Sequence, residues 1–194
     1  MDWYAALRPR RSLVLPLLVF ATPVLYFVYR DASMGCPAGP SCLDATHAGY
    51  ALAGLAGSYL VAVGVLAMVD APALADRTPY GRLAFRPTDR TLAVLGVFVA
   101  ATAGYLLATL VTTIPAWVDL VLAPFGLVLA LPFAASYAAM VVATNAVFSE
   151  PPMWFQTAVV AVSLALTAVW MFALATGTAG LLGSWLPARV GSGR

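Results

Sequence analysis

Five runs of this chain are apolar for long enough to cross a bilayer, and that feature decides most of what it can fold into. A helix needs about 20 apolar residues to cover roughly 30 Å of hydrocarbon, at about 1.5 Å per residue. The runs cover approximately 13–29, 48–69, 91–114, 120–147 and 153–175. The expected fold is all-α, a polytopic transmembrane bundle of about five helices making one integral membrane domain over 1–194. Residues 187–194 form a Gly/Ser-rich tail expected to be disordered. The fourth run, with Pro124 and Pro132 inside it, is longer than one untilted crossing requires.

Charge supports the same class. Only 9% of the residues are charged, against about 25% in a soluble domain. No water-facing surface can be built from so few, and a net charge of +2 is too small to suggest a nucleic-acid partner. All ten basic residues are arginine. Arg8, Arg10 and Arg11 precede the first run, and Arg77, Arg82, Arg86 and Arg90 lie between the second and third. Five crossings put these seven on one side and leave Arg30, Arg189 and Arg194 on the other. Because cytoplasmic loops carry the excess of Arg, the N-terminus is expected inside a cell membrane and the C-terminus outside. Arg77, Arg82, Arg86 and Arg90 are then candidates for contact with lipid headgroups. Arg10 and Arg11 also resemble an export signal faintly, but an uncleaved inside anchor explains them as well.

The loop between the first two runs holds Cys36 and Cys42 around the turn formers Pro-Ala-Gly-Pro-Ser. Facing an oxidising compartment, the pair is a disulfide candidate. Two free thiols, an outer-face thiol enzyme, or a metal site with Asp44 and His47 are the alternatives. A single histidine cannot supply the paired axial ligands of a membrane haem or a three-histidine zinc site, so no metal and no cofactor are expected.

Small residues recur every four positions. Gly96, Ala100, Gly104 and Ala108 mark the third run, Gly49, Ala53 and Gly57 the second. Residues four apart share a helix face, and in lipid such flat strips let backbones approach closely. They are expected to pack helices within the bundle, or against a second copy or another membrane protein. The apolar cores hold no acid or base, which argues against proton pumping. Their hydroxyls and the one buried-looking amide leave Thr112, Ser136 and Asn145 as a possible polar cavity, lined by the kinked first and fourth helices of a small permease or channel. The favoured function is a non-enzymatic packing or interaction subunit embedded in the lipid bilayer.

Overall fold

The computed structural model describes residues 8–34, 44–69, 71–147 and 152–185. Every regular element among them is helical. A short 3-10 turn, Arg11–Leu13, leads into α1 (Val14–Met34), followed by α2 (Ala45–Met68). Two short helices, α3 (Ala71–Arg77) and α4 (Pro79–Phe85), precede α5 (Asp89–Val111), α6 (Ala116–Val147) and α7 (Met153–Trp185). Five of these are long and apolar enough to cross a membrane: the first with its 3-10 turn, then α2, α5, α6 and α7.

Local chemistry sets the boundaries. The carboxylate of Asp44 accepts the backbone N–H of His47 at 2.9 Å and caps α2. That bond holds its carboxyl below the usual carboxylate range. Thr78 caps α4 through the N–H of Gly81 at 2.9 Å, and Thr88 caps α5 through that of Thr91 at 3.2 Å. Pro87 ends α4, since the residue before a proline avoids the helical region. The segment between the second and third runs therefore folds into two short helices of about two turns each.

Several ends differ from expectation. Helix α7 continues to Trp185 rather than ending near Ala175. The sequence Thr176-Gly177-Thr178 reads as a breaker, yet both hydroxyls bond back onto their own helix, to Phe172 and Leu174, at 2.9 Å each. Beyond them Ala179 is only 5% exposed, so packing holds the extension. Helix α1 runs past Tyr29 to Met34 because Ala32 is buried and the Ser33 hydroxyl bonds to the Arg30 carbonyl at 2.8 Å. Helix α5 spans Asp89–Val111 rather than 91–114, with Thr112 already extended ahead of Pro115. Cys36, Cys42 and the tail 187–194 lie outside the described residues.

Helix α7 is the axis of the bundle. It packs on α1, α5 and α6, while α2 packs chiefly on α1. In their most apolar stretches 44% of α7 is buried and none of α6. The core is Leu95, Phe172 and Ala175, with Val14, Leu15, Leu18, Val94 and Phe98 around it. This cluster joins the starts of α1 and α5 to the second half of α7. At the same end Arg11 pairs with Asp89 at 2.6 Å, and the Arg90 guanidinium lies over Gly183, 2.9 Å from where a Cβ would stand. We call this the arginine end. At the opposite end the hydroxyls of Tyr29 and Thr109 are 3.1 Å apart, joining α1 and α5 near their finish. Helix α7, about 50 Å long, is therefore antiparallel to both and starts at the opposite end.

The path of α6 follows from these tethers. Four residues connect it to the end of α5, a reach of about 18 Å. Its finish is tied as closely to the start of α7. Two prolines, Pro124 and Pro132, lie inside the helix, and a proline there frees a carbonyl and bends the helix axis. Pro132 has no N–H to give to the carbonyl four residues back, that of Val128. The indole N–H of Trp170 donates to that carbonyl at 2.8 Å, fixing the bend against α7. Trp170→Phe is expected to cost about 1 kcal/mol by orphaning the carbonyl. In a Pro132→Ala background, where the backbone N–H returns, the penalty should largely vanish; a double-mutant cycle on folding stability in bicelles checks this.

Candidate functional site

Because α5 and α6 both lean on α7 while scarcely touching each other, a groove opens between them. Its volume is about 430 Å³. Ala101, Thr102, Tyr105 and Leu106 of α5 form one wall, and residues from Asp119 to Ala130 of α6 the other. Thr167 and Met171 of α7 make the floor. The groove is open on its outer side, where Phe125 of the α6 wall is 67% exposed. Proline bending in α6 is what keeps this wall off the bundle.

The lining is mostly apolar, and its one charged group stands at one end. There the Tyr105 hydroxyl donates to the Asp119 carboxylate at 2.9 Å, the polar link between the two walls. The Thr167 hydroxyl is taken by its own helix, donating to the Ser163 carbonyl at 2.9 Å. No cation pairs with Asp119 among the described residues. A carboxylate has about four acceptor positions, so most of its capacity faces the groove and its surroundings.

Of the polar residues expected to line a cavity, Thr112 is exposed at the end of α5 and Ser136 is half-buried on α6, and neither lines this groove. Asn145 belongs to α6 in the turn before its end. The small-residue strips also face away from the chain's own helices. Gly49, Ala53, Gly57, Gly96, Ala100 and Gly104 are exposed and Ala108 is half-buried. A Cβ on Gly49, Gly57, Gly96 or Gly104 would meet nothing within 4 Å. The close approach of α1 and α2 uses Gly54 instead, where a Cβ would overlap the Val24 side chain.

Arg77, Arg82, Arg86 and Arg90 are all exposed at the arginine end. Arg86 lies 3.6 Å from Asp76, a surface pair worth little in stability. At the opposite end His47 sits between two acids. Its Nδ1 is 2.7 Å from Asp44 and its Nε2 is 3.6 Å from Asp31, so it links the finish of α1 to the cap of α2. No group of three side chains suited to a metal ion occurs among the described residues. The Tyr105–Asp119 pair was missed from sequence, although Asp119 beside Trp117 marks a helix end at the membrane edge.

Five helices long and apolar enough to cross a membrane make this chain a multi-pass helical membrane protein. Compared with known proteins, it matches no family model, no curated protein and no solved structure.

Proposed function

We propose that the chain is a non-enzymatic component of the cell membrane that works by associating with a second copy or with another membrane protein. The observation that carries this is the outward aspect of the small-residue strips. A membrane protein gains nothing by hiding apolar groups from lipid, so association rests on close van der Waals contact. Gly49, Ala53 and Gly57 on α2, and Gly96, Ala100 and Gly104 on α5, offer two flat faces that no helix of this chain occupies. The outer surface of α6 adds a third face, with Ala134 and Ala138 exposed on it.

Orientation belongs to the same reading. Arg8, Arg10, Arg11, Arg77, Arg82, Arg86 and Arg90 all precede or flank elements of the arginine end, which we place in the cytoplasm. The start of α1 and the end of α7 then share that side, instead of the C-terminus lying outside. Helix α6 enters and leaves by the other face, so the chain makes four full crossings and one return.

Association is tested in native membranes by bulky substitution. Gly57→Leu and Gly104→Leu meet open space within the chain, so folding stability should change by less than about 0.5 kcal/mol. Stoichiometry counted by single-molecule photobleaching, or recovery of a stoichiometric partner, should fall at least several-fold. A wild-type chain that remains monomeric and partner-free in mild detergent and in membranes would overturn the reading.

A further inference from the structure

We propose that the groove between α5 and α6 is a binding site for one bilayer phospholipid carrying a primary-amine headgroup. Its acyl chain lies along α6, and its ammonium is held by Asp119 with Tyr105. Three observations converge on this occupant.

The first is length. On the α6 wall the groove runs from Asp119 to Ala130, about 16 Å of helix. Half of a hydrocarbon core of roughly 30 Å is one leaflet, so the groove matches the reach of a single chain from headgroup level to midplane. Its volume of about 430 Å³ lies within the range of small-molecule sites.

The second is the distribution of polarity. The carboxylate and phenol sit at one end of a mostly apolar trough that is open along its outer side. That gradient is the complement of an amphiphile. Of the two other hydroxyls in the lining, Thr167 is bonded within its own helix, and Thr102 stands one turn of α5 from Tyr105.

The third is charge. Asp31, Asp44 and Asp119 stand toward this end of the bundle, with Arg30 and His47 as the basic groups there. His47 is already engaged by Asp31 and Asp44. An anionic headgroup would meet repulsion at Asp119. A quaternary ammonium brings charge without a donor, whereas a primary ammonium brings three N–H donors to a carboxylate with no cation partner among the described residues. Tyr105, donating to one carboxylate oxygen, fixes the rotamer that presents the other.

The full-length chain is purified from nanodiscs containing equal amounts of phosphatidylethanolamine, phosphatidylcholine and phosphatidylglycerol with identical acyl chains. Retained lipid is read by native mass spectrometry. Phosphatidylethanolamine should be enriched about tenfold over either of the others, the ratio expected of a hydrogen bond to a charged group. Asp119→Asn should abolish the enrichment, and Tyr105→Phe should weaken it. Gly126→Leu separates the site from the charge, since a Cβ there meets nothing within 4 Å and the rest of the side chain enters the groove that Gly126 lines. It should remove retained phosphatidylethanolamine while Asp119 is intact. Equal retention of the three lipids by the wild type, enrichment that survives Asp119→Asn, or undiminished retention in Gly126→Leu would each overturn the proposal.

Discussion

Gly54→Leu is expected to lift α2 off the bundle, lowering stability by about 2–3 kcal/mol or more. At Gly54 the backbone of α2 comes so close to α1 that even a Cβ would overlap Val24. Val24 is β-branched and stiff at χ1, so it cannot swing aside at low cost. The buried partners Ser58 and Ala62 continue the same face at four-residue spacing, 4% and 0% exposed. A leucine at the first of these positions separates the helices along the whole contact. Overpacking of a well-filled interface costs typically about 1–3 kcal/mol. Here the loss is larger because α2 leans on α1 and has no other long helix to fall back on. Gly49→Leu and Gly57→Leu serve as controls in the other register, where a Cβ meets nothing within 4 Å. The check is a disulfide cross-link between cysteines placed on facing positions of α1 and α2, with Cys36 and Cys42 replaced by serine. It should form in the wild-type background and in both controls and be lost in Gly54→Leu. Equal loss in Gly57→Leu would mean that the helices meet through a different face.

That contrast shows what could be read in advance and what could not. The helices themselves were legible, because a run of about 20 apolar residues has few other fates. Their faces were not. In a soluble helix the buried stripe is announced by polar residues on the opposite side, but in lipid both sides are apolar. Small-residue spacing was the remaining guide, and α2 carries two such registers. Gly49, Ala53 and Gly57 make one; Gly54, Ser58 and Ala62 make the other, one residue and about 100° further round. Sequence alone selected the first, and the chain packs through the second.

The groove was hidden for another reason. Tyr105 and Asp119 are unremarkable in their own helices, and their bond exists because a short loop returns α6 past the end of α5. The prolines were visible as sources of curvature, whereas the partner that makes the bend specific, Trp170, is 42 residues from the carbonyl it satisfies. The extension of α7 was misread because threonine and glycine signal a stop in water. Inside a bundle each hydroxyl can close on its own backbone and the helix continues.

A cysteine at Ser12 and one at Ser192 are expected to be labelled from the same side of the membrane, and cysteines at Thr113 and Glu150 from the other. Five simple crossings would give a different pattern, with Ser12 and Ser192 on opposite sides and Thr113 and Glu150 likewise separated. The bundle's contacts favour the first pattern at three independent points. Leu15 and Leu18 near the start of α1 pack with Phe172 and Ala175 in the second half of α7. Arg90 at the start of α5 reaches Gly183 near the finish of α7. Tyr29 and Thr109 meet at the far end, so α1 and α5 run in the same direction and α7 against both. An antiparallel α7 must begin where α5 ends, and α6 joins those two points through loops too short to cross a bilayer. Charge agrees, because Arg11, Arg82, Arg86 and Arg90 stand at the arginine end and Arg30 at the other. The measurement is labelling of single-cysteine variants, in a background with Cys36 and Cys42 replaced by serine, by a membrane-impermeant maleimide on intact cells and on inverted vesicles. Accessibility of Thr113 and Glu150 from opposite sides would make α6 a full crossing and sink both this topology and the antiparallel placement of α7.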